Sequence, residues 1–196
     1  MTTYTPTFRS PISTPEPATA ASDLMVRDRT GVPVILIQGE TGDILEKHLP
    51  KIPANPGDLT DMTEGRLARL TPNEFYLFGK SQSTKLPSVA ELNESFVEAG
   101  RFAQATDLTH GKAMLKLSGP AAAEALSKIC GLDFHDSVFP NMRVKQTSAA
   151  KIKTLIARCD EEGRSTYFLH VDRPFGQYFW DIVWDAGQEF GIAVGL

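Results

Sequence analysis

Lys112-Ala113-Met114-Leu115-Lys116-Leu117, running on into Ser118-Gly119-Pro120, is the stretch whose reading decides the fold. Ala113, Leu115 and Leu117 alternate with Lys112 and Lys116, the period of a half-buried strand. Ser118-Gly119-Pro120 then opens a helix, with proline in its first turn and Ala122, Ala125, Leu126 and Ile129 turned inward. The same phrase occurs earlier in the chain. Leu36-Ile37-Gln38-Gly39 lines up with Lys116-Leu117-Ser118-Gly119 at an offset of 80, and Phe75-Tyr76-Leu77-Phe78 with Tyr167-Phe168-Leu169-His170 at an offset of 92. A longer second hairpin absorbs the difference, so the chain reads as a duplicated unit.

Working outward, each unit has the order β-α-β-β-α-β. In the first, Val32 to Ile37 is a strand whose Pro33 marks a start or an edge. A short helix carries Ile44, Leu45 and Leu49. Arg66–Leu70 and Glu74–Phe78 form a hairpin through Thr71-Pro72-Asn73, good turn chemistry. Ser88-Val89-Ala90-Glu91 is a capping box opening a helix, and Thr106–Thr109 is the fourth strand. In the second, one arm of a long hairpin runs from Val144 to Arg158 and the other from Thr166 to Val171. A last helix spans about Arg173 to Phe190 before the short strand Gly191–Val194. The expected class is α+β, two ferredoxin-like halves, 26–109 and 110–196, in one integrated domain. Ahead of them, residues 1–25 form an N-terminal arm. Its first 22 residues include thirteen Ser, Thr or Pro, too little apolar surface to order alone, with Tyr4 and Phe8 as candidate anchors on a partner.

The 196 residues carry 20 Lys+Arg against 24 Asp+Glu, a net charge of -4. No basic cluster suggests a nucleic-acid or anionic-membrane surface. No apolar run approaches the roughly 20 residues of a membrane span, and Met1–Pro6 lacks the basic-then-apolar order of a signal peptide. A cytoplasmic location is expected. Cys130 and Cys159 lie in apolar surroundings and read as small core residues.

Chemical signatures are sparse. No GxGxxG marks a dinucleotide site. Phe78-Gly79-Lys80-Ser81 resembles the end of a phosphate loop, but Glu74 stands where the upstream glycine belongs. The glycosylation sequon Asn93-Glu94-Ser95 falls inside a helix. His48, His110, His135 and His170 do not have metal-ligand spacing, and Cys130 with His135 supplies only two ligands. Asp107 and His110 are three apart on a strand, hence on opposite faces. Gln146 to Lys153 contains no carboxylate for acid–base work. The expectation is no catalytic, metal or cofactor residue on this chain.

Asp107-Leu108-Thr109-His110 and Leu115–Pro120 resemble the folate-binding aminomethyltransferase superfamily. So do Cys130–His135, Phe139-Pro140, Gln146-Thr147, Val171 with Arg173 and Phe175, and Trp180 with Glu189-Phe190-Gly191. Within that superfamily the chain is most similar to gamma subunits of heterotetrameric sarcosine oxidases, closely over 106–191 and more loosely over 30–105, mainly through Leu70–Glu74. The resemblance implies a complex that demethylates sarcosine to glycine. It places FAD, FMN, NAD and tetrahydrofolate on the partner subunits, and makes alpha, beta and small delta subunits the partners of a non-catalytic gamma chain. Two other functions are weighed: an independent tetrahydrofolate-dependent one-carbon transferase, disfavoured by the missing carboxylates, and a ferredoxin-like regulatory ligand-binding module. On the last helix, Phe175, Phe179, Ile182, Val183, Ala186 and Phe190 share one arc. Trp180 and Trp184 fall outside it, which makes them candidates for a partner interface.

Overall fold

The structure is a computed structural model that describes residues 8–15 and 22–195. Among the described residues eleven strands form two sheets. The first half contributes β2 (Val34–Gly39), α1 (Ile44–His48), β3 (Leu59–Asp61), β4 (Gly65–Thr71), β5 (Glu74–Gly79), α2 (Val89–Glu98) and β6 (Ala103–Asp107). Its sheet has the order β3-β4-β5-β2-β6, all neighbours antiparallel. The second half contributes β7 (Lys112–Ser118), α3 (Ala122–Ser127), β8 (Arg143–Ala149), β9 (Ile152–Arg158), β10 (Thr166–Asp172), α4 (Gly176–Gly187) and β11 (Ala193–Val194). Together with β1 (Met25–Asp28) these strands make a sheet ordered β11-β1-β7-β10-β9-β8.

The duplication is real and carries an added edge strand in each half, β3 and β8. The sheets stack face to face, with helices on the outside. One core lies between the second sheet and α3 and α4, another between the first sheet and α1 and α2. A third lies between the sheets, where Val34, Ala68, Tyr76 and Phe78 meet Met114, Leu155, Ala157 and Phe168. Strands covered on both faces lose their alternation. Thus Phe75–Gly79 and Thr166–Val171 are buried without a break. For the same reason β7 is not half-buried: its Met114 enters the middle core and Lys116 faces the first sheet.

Two glycines mark the repeat. Gly39 and Gly119 end the central strands β2 and β7 with φ of 109° and 132°. A Cβ on Gly39 would lie 2.2 Å from the Phe102 carbonyl oxygen, and one on Gly119 only 2.0 Å from that of Asp23. Both positions let a neighbouring strand approach. In the first sheet that strand is β6; in the second it is β1. Residues Met25–Asp28 therefore occupy the place that β6 holds in the other half, antiparallel to β7 and parallel to β11, which moves one position out.

Two sequence expectations need correction. Val144–Arg158 is not one arm but the hairpin β8–β9, turned at Ala150 and Lys151 with φ of 51° and 64°. That is the geometry of a two-residue hairpin turn, here without the Asn-Gly or Asp-Gly that announces one. Helix α4 turns Gly176, Phe179, Trp180, Val183, Ala186 and Gly187 inward. Phe175 lies in the 3-10 turn before α4 and is 47% exposed. An apolar-residue pattern overlooks glycines on a buried face, so the inferred arc sat off centre. No helix among the described residues is long and apolar enough to cross a membrane.

Gly119→Ala should lose at least about 2 kcal/mol, because it adds a strained φ to a backbone clash. Thermal unfolding should show a Tm lower by about 4–8 °C; an unchanged Tm would show that β1 does not approach β7 this closely.

Candidate functional site

The space between the sheets has a charged cluster at one end and a polar pair at the other. At the first end Arg66, on β4, is only 4% exposed. Its Nε lies 3.1 Å from Asp61 Oδ1 and 3.3 Å from Cys159 Sγ, and its Nη2 donates to Glu161. The guanidinium lies over the Phe168 ring at 4.4 Å from the centroid. Lys116, on β7, donates to the other Glu161 oxygen, and Lys80 reaches Asp61 at 3.0 Å. Residues of both sheets are thus joined through one carboxylate.

At the other end Tyr76, on β5, and His170, on β10, meet through Tyr76 Oη and His170 Nδ1 at 3.2 Å. Phe78 sits edge-on to the imidazole at 4.9 Å between centroids, and His170 Nε2 is buried without a hydrogen-bond partner among the described residues. Beside the pair a cavity of about 160 Å³ opens, rimmed by Gln38, Glu74, Lys112, Gln146 and Lys153.

Burial sets the protonation of these groups. It opposes ionisation of Glu161, but the hydrogen bonds and charges of Lys116 and Arg66 outweigh it and hold the carboxyl below its ordinary range. Burial raises the Cys159 thiol despite Arg66, and raises the Tyr76 phenol. It lowers His170 to about 3, with Lys112 adding to the effect. At neutral pH the space holds an ionised acceptor, a thiol, a neutral phenol and a neutral imidazole. The shifts weaken the carboxylate and imidazole as bases and the phenol and thiol as acids near neutral pH, and deny the sulfur thiolate character.

The residues singled out in the sequence lie elsewhere. Tyr4 is outside the described residues. Phe8 binds its own chain: its ring is tilted against His110 at 5.8 Å, with the Arg173 guanidinium 5.0 Å above it. Next to it Ile12 is buried and the Ser13 N–H donates to Gln177. Trp180, 2% exposed, belongs to the core of the second half and offers no partner surface, a correction that follows from the rotated α4 face. Trp184 is half-buried and stacks on Trp180 at 6.4 Å. Asp107 accepts from the Thr109 N–H, and His48 and His135 bond to Ser95 and Ser137. No cluster of three metal-ligating side chains occurs among the described residues. Both cysteines are buried and free, as expected. Arg66, Glu161, Tyr76 and His170 escaped the sequence reading. Glu161 lies in the connection between β9 and β10, where a carboxylate is ordinary, and an inward arginine on a strand leaves no local signal.

A family model, the GCVT N-terminal domain, matches residues 59–196. Mitochondrial dimethylglycine dehydrogenase of Homo sapiens is 28% identical over 122 residues, 62% of this chain and 14% of that protein. Sarcosine oxidase subunit gamma of Corynebacterium sp. (strain U-96) is 33% identical over 149 residues, 72% of this chain and 66% of that one. The chain thus spans one-seventh to just under two-thirds of these relatives. Among solved structures, a chain of the heterotetrameric sarcosine oxidase from Corynebacterium sp. U-96 superimposes with a TM-score of 0.72 at 26% identity, covering 89% of each chain.

In the unfolded chain His170 takes a proton near its ordinary value of 6.5, but in the folded chain only near 3. Its contribution to stability is therefore complete above about pH 6.5 and is lost as the pH falls from there towards 3, by up to about 1.4 kcal/mol per pH unit. Urea unfolding of the wild type and of His170→Gln from pH 4 to 8 should give curves whose difference varies below pH 6.5 and is flat above it. A constant difference would mean that His170 titrates normally.

Proposed function

The chain belongs to the GCVT N-terminal domain family, and from that membership we propose that it is the gamma-type subunit of a heterotetrameric sarcosine oxidase, serving assembly rather than chemistry. Within its complex, sarcosine is oxidatively demethylated to glycine. The observation that carries the non-catalytic part is the state of the groups between the sheets. Both Glu161 oxygens are engaged by cations, and Cys159, Tyr76 and His170 are held in unreactive forms. A general acid or base needs a pKa near the working pH; burial moves Cys159, Tyr76 and His170 away from it, and Lys116 and Arg66 hold Glu161 below it.

The volume left between the sheets supports a chain that does not itself hold tetrahydrofolate. The remaining space of about 160 Å³ is below the roughly 300–1,000 Å³ that ligand pockets of drug size occupy. By the resemblance to sarcosine oxidase gamma subunits, FAD, FMN, NAD and tetrahydrofolate are assigned to the larger alpha and beta subunits, with a small delta chain completing the assembly. The 33% identity to a sarcosine oxidase gamma subunit and the similarity to a chain of the solved heterotetramer support this reading. A cytoplasmic location goes with it.

Co-expressed with the larger oxidase chains of the same genome, the protein should co-elute with them on size exclusion. Purified alone it should be colourless, with no flavin absorption and no sarcosine-dependent oxygen uptake. A yellow or active isolated chain would overturn the non-catalytic assignment, and separate elution would overturn the assignment to the complex.

A further inference from the structure

A sheet edge is an open row of hydrogen-bonding groups, and folded proteins cover or shorten most of theirs. The described residues have four. Strand β11 has two residues and β3 has three. On β6 the middle residue is closed by a side chain: the Ala105 N–H donates to Asn93 Oδ1 at 2.7 Å, and Asn93 Nδ2 donates to the Ala105 carbonyl at 3.1 Å. That leaves β8, seven residues long.

Its two ends are covered by the chain itself. The Val144 N–H donates to the Gly57 carbonyl at 2.9 Å, and past the strand end the Ala150 N–H donates to Ile129 at 2.7 Å. Asp58 bridges Arg143 at one end and Cys130 bridges Ala149 at the other, and between these bridges no strand lies alongside. The alternation of an antiparallel ladder turns Gln146 and Ser148 outward, in phase with Val144 and Ala150. Both residues are exposed.

The surroundings are basic and partly apolar. No Asp or Glu occurs from Ser137 to Cys159, in a chain whose net charge is -4. Arg143 pairs with Asp58. Lys145, Lys151 and Lys153 are exposed and form no ion pair among the described residues. Against the edge lies a cavity of about 320 Å³, lined by Leu70, Leu132, Val138 and Phe139 together with Lys145 and Gln146.

We propose that the uncovered middle of β8 receives a short, extended, acidic segment of a larger partner protein as an added strand. An apolar side chain of that segment fills the neighbouring cavity. Main-chain bonds to Gln146 and Ser148 give the pairing, the cavity gives register, and the three lysines select acidic sequence. A second copy of this chain is disfavoured, because pairing β8 with itself would bring the lysines together. The inference rests on the reading of the chain as a subunit.

The test uses the full chain co-expressed with the larger oxidase chains, with association measured by titration. Ser148→Pro removes one outward N–H and places a ring on the open edge, a position where strands tolerate proline; Ser148→Ala is its control. The triple variant Lys145→Glu/Lys151→Glu/Lys153→Glu changes only exposed side chains and carries the test if the proline variant does not fold. The proline and triple variants should each bind at least tenfold more weakly, with Ser148→Ala like the wild type and the Tm of the isolated triple variant unchanged. Wild-type assembly with both variants within twofold of it would overturn the β8 surface and leave the subunit reading standing. Failure of the wild type to assemble would overturn both.

Discussion

Arg66 projects a charge into a space walled by two apolar sheets, and a charge there is tolerated only if it is neutralised and hydrogen-bonded. Glu161 supplies the neutralising carboxylate, from the loop between β9 and β10, and shares it with Lys116 on β7. Asp61 and the Phe168 ring complete the shell. Arg66 and Asp61 belong to the first half, and Glu161, Lys116 and Phe168 to the second. The halves cannot slide past one another without breaking the buried Arg66–Glu161 contact. Tyr76 and His170 impose a weaker version of the same constraint at the opposite end.

That constraint bears on function as directly as on stability. A duplicated fold with stacked sheets has an obvious place for a ligand, the seam between the halves. Here the seam is filled by the protein's own side chains, and their protonation is tuned for permanence. The ion pairs of Glu161 with Arg66 and Lys116 tie the two sheets together. The strand proposed as a docking edge, the middle of β8, lies outside the seam.

Much of the fold was legible in the sequence because its signals are local. The Gly39 and Gly119 repeat, the Ser88 cap, whose side chain accepts from the Glu91 N–H, and the Thr71-Pro72-Asn73 turn need only neighbouring residues to act. What was not legible depends on distant partners. Met25–Asp28 has no strand signature of its own and becomes β1 because Gly119 leaves room beside β7. The turn at Ala150 and Lys151 lacks the usual residues because the flanking ladder imposes it. Trp180 was misplaced because the buried face of α4 includes two glycines. The site was less legible than the fold. A buried Arg66 and an exposed arginine look alike in sequence, and His170 gains its meaning from Tyr76, ninety-four residues away.

The central claim is that Arg66 and Glu161 act as one structural unit across the seam. A double-mutant cycle measures this most directly, with urea unfolding of the wild type, Arg66→Leu, Glu161→Leu and the double variant. Each single variant removes the partner across the seam, leaving Arg66 with Asp61 alone or Glu161 with Lys116 alone, so the double should recover part of the lost stability, with a coupling energy of about 1–2 kcal/mol. Effects that simply add, to within about 0.5 kcal/mol, would show that the two residues act independently and that something else holds the halves together.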